Sequence, residues 1–188
     1  MQARAAWYGS IVRQVASWGY VVLQYTSLGV FPVVSDRIEL EYLPPLLQWL
    51  SAQSAGNADS AADRLPANPL LGLADTSRLA TMGHSRGGKL AALHYAGNIL
   101  NISTAVLLDP IDNTDRAPEG PDYPSACKAL AAANRTAAVV GAGISGRCNP
   151  LESNFRHFTS SLAPGSWQLV VRQVRCWEGL RECVFVSV

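Results

Sequence analysis

An excess of charge of either sign is lacking in this sequence, because 15 lysines and arginines stand against 14 aspartates and glutamates. The basic residues are also scattered along the chain rather than grouped. Proteins that bind nucleic acid or an anionic membrane surface carry a basic patch as their electrostatic footprint. The charge balance therefore excludes nucleic acid from the expected partners.

Long apolar runs are lacking as well, since no stretch approaches the ~18 residues of a membrane span. The N-terminus has no charged segment followed by an apolar one, so it predicts no secretory signal, and it shows no clear transit peptide. Met1 is followed almost at once by the pattern of a fold interior. We therefore expect that the first strands of the fold are missing from this chain.

Cysteine and histidine are scarce. The four cysteines, at positions 127, 148, 176 and 183, form no CxxC pair, and no histidine stands at metal-ligand spacing from them. No zinc site is expected, and free thiols are the first prediction. The alternative is a bridge between Cys127 and Cys148, which flank a predicted strand.

Apolar residues make up 48% of the chain, enough for one buried core, and their spacing predicts alternating helices and strands. The predicted helices cover residues 5–18, 36–51 (kinked or started near Pro44 and Pro45) and 89–95, and residues 51–69 are predicted to be a surface loop. The predicted strands cover residues 20–25, 78–82, 104–108, 137–140 and 167–171. This alternation is typical of an α/β fold, a mostly parallel sheet with helices on both faces.

Residues 83–87, with the letters GHSRG, lie between a predicted strand and a predicted helix. That is the context in which a G-x-S-x-G segment places its serine on a strained turn above the end of a strand. The backbone N–H of the next residue then points, with the helix N-terminus, at a developing oxyanion. We therefore predict Ser85 as a nucleophile and the N–H of Arg86 as an oxyanion donor.

A nucleophilic serine needs a base and an acid that orients the base. Asp109 stands at the end of the next predicted strand, and active sites of open α/β sheets lie at the carboxyl ends of strands. Asp112 is three residues further along the same loop. Asp109 is the preferred acid and Asp112 the alternative, and the other aspartate of the pair is expected to cap the turn at Pro110.

The chain has three histidines from which the base can come. His84 precedes the serine and is expected to pack beside the turn, and His94 is expected to face other helices. His157 alone lies downstream of the acid, where the order Ser, Asp, His places it. His157 is therefore the predicted base, with a loop histidine that bonds the backbone as the alternative interpretation.

With these residues in view, the chain resembles the chlorophyllase family. Residues 83–89, GHSRGGK, are similar to a segment characteristic of that family, and residues 107–112 resemble its next strand and acidic loop. Residues 118–125 and 149–150 fit its loops, so that the resemblance covers roughly residues 5–173. It implies an α/β-hydrolase fold and hydrolysis of the phytyl ester of chlorophyll to chlorophyllide and phytol, without a metal or cofactor. The implied partner is a small molecule, chlorophyll or a related ester. A chloroplast location and a peripheral contact with the thylakoid or envelope membrane are implied too.

Two family segments have no counterpart in this sequence. One is a strand that ends in His-Gly, expected before the helix over 5–18, which supplies the second oxyanion donor; one such donor contributes on the order of 10²–10³ in rate. The other is a Gly-His in the loop after the strand over 167–171, where residues 172–180 contain no histidine. We therefore expect a truncated or aberrantly terminated member, with a partial α/β-hydrolase domain over 1–173 and an atypical C-terminal tail over 174–188.

Three functions remain open on the sequence. The first is a chlorophyll-hydrolysing serine esterase, and the second is an esterase of the same fold that acts on another lipid-like ester. The third is a non-catalytic remnant that binds chlorophyll or a partner.

Overall fold

The computed structural model describes residues 8–25, 34–56, 68–98, 100–175 and 183–187, of which residues 175 and 183–187 are described by their backbone. Helices and strands alternate along this part of the chain. In chain order the elements are α1 (Gly9–Ser17), β1 (Val22–Tyr25), α2 (Asp36–Leu40), α3 (Leu43–Ala55), β2 (Leu79–His84), α4 (Arg86–Gly97), β3 (Ile102–Leu108), α5 (Ala126–Ala133), β4 (Ala138–Ile144), α6 (Phe155–Ser160), β5 (Trp167–Arg175) and β6 (Cys183–Ser187).

The sheet is mostly parallel, as the alternation predicts. Its six described strands lie in the order β1-β6-β2-β3-β4-β5, and the pairs β2–β3, β3–β4 and β4–β5 are parallel. Helices pack around these four strands, with α4 against β2 and β3 and α6 against β4. The α/β architecture expected from the sequence is confirmed, and it is the arrangement of an α/β-hydrolase core.

The last described strand is a feature that the sequence did not predict. β6 lies between β1 and β2 and is antiparallel to both, so that its first residue, Cys183, pairs with His84. The division between a domain over 1–173 and a tail over 174–188 stays a prediction. Residues from the predicted tail nevertheless belong to the sheet, because β5 continues to Arg175 and β6 adjoins the strand that precedes Ser85.

The single helix predicted over 36–51 is two helices. α2 ends at Leu40 and α3 begins at Leu43, with Pro44 and Pro45 in its first turn. Of the two predicted alternatives, a kink or a helix start at the prolines, the structure shows the start, because proline lacks an N–H and is accepted in the first turn of a helix. α3 then runs past the predicted loop boundary to Ala55 and ends at Gly56, which has a φ of 72°.

Two short helices, α5 and α6, were absent from the prediction. Each begins at a side-chain cap: the Ser125 hydroxyl accepts from the N–H of Lys128 at 3.2 Å, and the Asn154 side chain accepts from Arg156 at 3.2 Å. His157 lies in the second of these helices. Residue 157 is therefore helical and not part of a loop, although its ring does bond the backbone, as the alternative interpretation expected.

The core lies between the sheet and the helices that cover it. It is formed by buried side chains of α3, β2, α4, β3, α5, β4 and α6, among them Leu43, Leu79, Leu107, Val139 and Phe155. Phe155 packs so closely on β4 that a Cβ atom at Gly141 would overlap its ring. This contact ties α6 to the sheet.

The cysteine predictions are corrected in part. Cys127 is a free thiol, as expected, whereas Cys148 is disulfide-bonded. The alternative bridge between Cys127 and Cys148 is therefore excluded, and the partner of Cys148 lies outside the described side chains.

Across the described ranges, no helix combines the length and apolar character needed to cross a lipid bilayer.

Candidate active site

Ser85 stands in the one-residue turn between β2 and α4. Its φ of 58° and ψ of −127° are rare for a residue with a side chain, and such strain persists only where the surroundings impose it. The surroundings here are backbone hydrogen bonds. The N–H of Ser85 donates to the carbonyl of Leu108 at 3.0 Å, and its carbonyl accepts from the N–H of Gly88 at 2.9 Å and of Ile111 at 3.3 Å.

These bonds connect the serine turn to the loop that follows β3. Leu108 ends that strand and Ile111 lies in the loop after it, so the backbone of Ser85 is held from both sides. Gly88 completes the junction, since a Cβ atom there would lie 2.9 Å from the Cβ of Pro110. The turn and the loop that carries Asp109 and Asp112 are therefore positioned as one unit.

Arg86 is the first residue of α4, so its backbone N–H belongs to the positive end of that helix. This is the location that an oxyanion donor needs. Its role as that donor stays a prediction.

The side chains of Arg86 and Lys89 are occupied by ion pairs, which the sequence did not predict. Arg86 Nε is 2.7 Å from the Asp36 carboxylate and Nη1 is 2.6 Å from Glu39, while Nη2 donates to the carbonyl of Val34 at 2.9 Å. Lys89 Nζ is 2.8 Å from the other oxygen of Asp36. The sequence did contain a signal for these contacts. The two acidic residues of α2 are three positions apart, and so are the two basic residues of α4, which places each like-charged pair on one face of its helix.

Asp109 follows β3 directly and is 8% exposed. Its Oδ1 accepts from the N–H of Ala142 at 3.0 Å, and its Oδ2 lies 3.4 Å from the Asn149 amide nitrogen, a long hydrogen bond. Its φ of 42° is also unusual for a residue with a side chain. The carboxylate of Asp109 can thus still accept a further hydrogen bond. Asp109 follows β3, and Ser85 follows β2, the parallel strand beside it.

Asp112 has a structural position at the start of α5. Its two oxygens accept from the Ser125 hydroxyl at 2.6 Å and from the N–H groups of Ala126 and Cys127 at 2.9 and 3.2 Å. Lys89 Nζ is 3.6 Å away. A carboxylate that accepts three hydrogen bonds at a helix N-terminus caps that helix. Few of its lone pairs remain to accept a hydrogen bond from a histidine.

The structure places His157 on the exposed side of α6. Its Nε2 lies 3.0 Å from the carbonyl of Leu151 and therefore carries the proton that it donates there. The ring lines a cleft of about 260 Å³ together with Asp112, Ser125 and Ser153, and Ser85 is not among the lining residues. Among the described residues no hydrogen bond joins His157 to Ser85 or to Asp109, and its role as the base stays a prediction.

The other two histidines are largely buried. Burial lowers the pKa of His84, although the Asp109 carboxylate opposes this effect, and the Tyr8 hydroxyl oxygen is 2.8 Å from its Nδ1. Burial also lowers the pKa of His94 to about 4. Its Nε2 has no hydrogen-bond partner in the part of the chain that the structure describes.

Groups of three or more histidine, cysteine, aspartate or glutamate side chains placed to hold a metal ion are not found in the described ranges. The groups that the described structure places at the ends of β2 and β3 are the Ser85 hydroxyl, the N-terminus of α4 and the buried carboxylate of Asp109.

A comparison with protein families gives one result that covers most of the chain. The family model named Chlorophyllase matches residues 1–176 of the 188, a span that includes Ser85, both aspartates and His157. A search of curated proteins finds no match. The chain therefore belongs to the chlorophyllase family of carboxylic-ester hydrolases.

Proposed function

We propose that this chain hydrolyses the phytyl ester of chlorophyll to chlorophyllide and phytol, with Ser85 as the nucleophile. The observation that carries the proposal is the strained conformation of Ser85 between β2 and α4, in a chain that belongs to the chlorophyllase family. A serine at such a turn presents its hydroxyl above the end of the strand, which is the geometry that nucleophilic attack requires.

The proposed reaction has two steps. The Ser85 oxygen attacks the ester carbonyl carbon and gives its proton to a histidine, and the negative oxygen that forms is stabilised at the N-terminus of α4. The carbon–oxygen bond to phytol then breaks, and phytol leaves with that proton. A water molecule cleaves the acyl-enzyme by the same route, which releases chlorophyllide and restores Ser85.

Asp109 is the proposed acid, in preference to Asp112. The Asp112 carboxylate already accepts three bonds at the start of α5, whereas Asp109 accepts one short and one long bond. His157 is proposed as the base from its order in the sequence. To take the proton of Ser85, its Nε2 has to give up the bond to Leu151, or its ring has to present Nδ1.

The position of His157 also favours a second candidate, a family member that binds chlorophyll without hydrolysing it. In a serine hydrolase the base lies within hydrogen-bond reach of the nucleophile, although that bond is often loose before substrate binds. Among the described residues no hydrogen bond joins a histidine ring to the Ser85 side chain. No described feature specifically favours the remaining candidate, an esterase that acts on another lipid-like ester.

The decisive experiment measures chlorophyllide released from chlorophyll a by the purified chain. Ser85→Ala removes the nucleophile, and Ser17→Ala, which removes an exposed hydroxyl at the end of α1, is the matched control. We expect release by the wild type and by Ser17→Ala, and none by Ser85→Ala. Pigment binding without release by a folded wild-type chain would favour the non-catalytic candidate.

A His157→Gln variant tests the proposed base in the same assay. Glutamine keeps a polar side chain on α6 but cannot act as a general base, so we expect a loss of at least about 10²-fold in kcat. Undiminished kcat would exclude His157 from the reaction.

The location of the protein is proposed from the family resemblance. We propose a chloroplast location with peripheral contact to the thylakoid or envelope membrane. Fractionation of plastids with an antibody against the chain tests both parts, because a peripheral contact is released by salt or carbonate washing.

A further inference from the structure

We propose that Asp36 is a positioning residue for the nucleophile: through Arg86 and Lys89 it holds the first turn of α4 in the orientation that Ser85 and its oxyanion donor require. This inference rests on the proposed role of Ser85 and extends it to α2, whose Asp36 lies 50 residues before Arg86 in the sequence.

The first argument is the geometry of the carboxylate. One oxygen of Asp36 is 2.7 Å from Arg86 Nε, and the other is 2.8 Å from Lys89 Nζ. Arg86 and Lys89 are the first and fourth residues of α4, so this single side chain spans its whole first turn. The backbone N–H of Arg86 and the adjacent Ser85 belong to the turn that is held.

The second argument is the completeness of the arginine contacts. The guanidinium is a rigid planar fork, and all three of its nitrogen atoms have partners on one side: Asp36, Glu39 and the carbonyl of Val34. Partners on all three nitrogen atoms restrain the rotation of the fork. The backbone of Arg86, which lies next to Ser85, is therefore fixed relative to α2.

The third argument concerns energetics. The side chains of Asp36 and Lys89 are only 1% and 2% exposed, so both charges have left water. The desolvation of buried ion pairs offsets most of their attraction, and apolar residues of similar volume often stabilise a fold as well or better. Buried charges at this place are therefore better explained by the orientation that they impose than by the stability that they add.

The ion-pair network also reaches the acid loop, the segment after β3 that carries Asp109 and Asp112. Lys89 Nζ lies 3.6 Å from Asp112, three residues beyond Asp109. Asp36 thus holds Lys89, a residue of α4 whose ammonium group also lies near the loop that follows β3. A loss of Asp36 is expected to affect the position of Ser85 relative to Asp109, and errors of about 1 Å in such positions cost on the order of 10²-fold in rate.

The test is the rate constant with which a fluorophosphonate labels Ser85 in the full chain, normalised to folded protein by circular dichroism. Asp36→Asn keeps the shape of the side chain and removes its charge, and we expect a decrease of about 10- to 100-fold. The matched control is Asp75→Asn, which removes an exposed carboxylate 2.6 Å from Arg78, before the start of β2. We expect the control to label at the wild-type rate.

A second variant and a second measurement separate positioning from folding. Glu39→Gln removes the charge that pairs with Arg86 Nη1 and leaves Asp36 in place, so it tests the same network if Asp36→Asn does not fold. In ester hydrolysis we expect kcat to fall by a similar factor while KM stays within about twofold, which a loss of folded protein would not produce.

The outcomes distinguish this proposal from the proposed function. If the wild type labels rapidly at Ser85 and the variants slowly, Asp36 positions the nucleophile, even if chlorophyll is not the substrate. If folded Asp36→Asn and Glu39→Gln both label at the wild-type rate, the positioning role is wrong, whether or not chlorophyllide is released.

Discussion

Gly83 and Gly87 pack backbone against backbone across the turn that carries Ser85. A Cβ atom at Gly83 would overlap the carbonyl group of Gly87, and both partners are main chain, which cannot rotate away. The close approach is what allows β2 to pass into α4 through a single residue. Any side chain at position 83 has to separate the strand from the helix.

Gly83→Ala is therefore expected to destabilise the fold by about 3 kcal/mol or more, since relief requires a shift of the backbone. Gly120→Ala is the matched control, because no atom lies within 4 Å of a Cβ there, and its effect is expected within about 0.5 kcal/mol. Urea unfolding measures both variants. Equal stability of the two would contradict the packing described here.

The two aspartates of the acid loop are expected to separate in function. Asp109→Asn should lower kcat on the order of 10⁴-fold, because an amide cannot hold a histidine in the required tautomer or stabilise its charged form. Asp112→Asn should cost ~1–3 kcal/mol in stability, because the amide group cannot accept from all three donors at the start of α5, and change kcat by less than about 10-fold.

Ester hydrolysis and thermal unfolding of both variants provide the measurements. The reverse pattern, with kcat lost in Asp112→Asn and retained in Asp109→Asn, would exchange the two roles. It would also place the reaction at the cleft that Asp112 shares with His157.

His94 makes the fold sensitive to mild acid. Its pKa is about 4 in the folded chain and 6.5 when exposed, so the unfolded state binds a proton first as the pH falls. The free energy of unfolding should therefore decrease between pH 7.5 and pH 5, by about 2 kcal/mol from this residue.

His94→Leu fills a similar volume without titrating, and it should remove that part of the pH dependence. The measurement is the difference between wild type and variant in urea midpoint at the two pH values, which cancels contributions from His84. A difference that does not change with pH would show that His94 is protonated equally in both states.

We expect the thiol of Cys127 to react slowly with alkylating agents. Burial, followed by the Asp112 carboxylate, raises its pKa from 9.0 to about 12, which lowers the thiolate fraction at pH 8 by about 1000-fold. We expect iodoacetamide to modify Cys127 at least ~100-fold more slowly in the folded chain than in urea, as measured by peptide mass spectrometry.

Asp112→Asn removes the carboxylate charge that helps to raise the pKa of Cys127, so it should accelerate the modification of this thiol. The two predictions on Asp112 thus have independent readouts. Equal rates in the folded chain and in urea would mean that the thiol is accessible and ionises normally.

The sequence by itself determined the alternation of strands and helices and the position of Ser85 between β2 and α4. These features depend on local causes: apolar periodicity, the room that Gly83 and Gly87 leave, and the turn that this spacing forces. The same local reasoning placed Asp109 at the end of β3. It missed α5 and α6, which are short and depend on single capping side chains.

The tertiary structure alone decided what those residues touch. Asp36 and Arg86 are 50 positions apart, and no local pattern shows that the acidic face of α2 meets the basic face of α4. The same holds for Asp112, which proved to cap α5, for β6, which lies between β1 and β2, and for His157, which bonds Leu151. Such pairings arise only when the core brings distant elements together, because the spacing of a sequence records the periodicity of each element and not its neighbours.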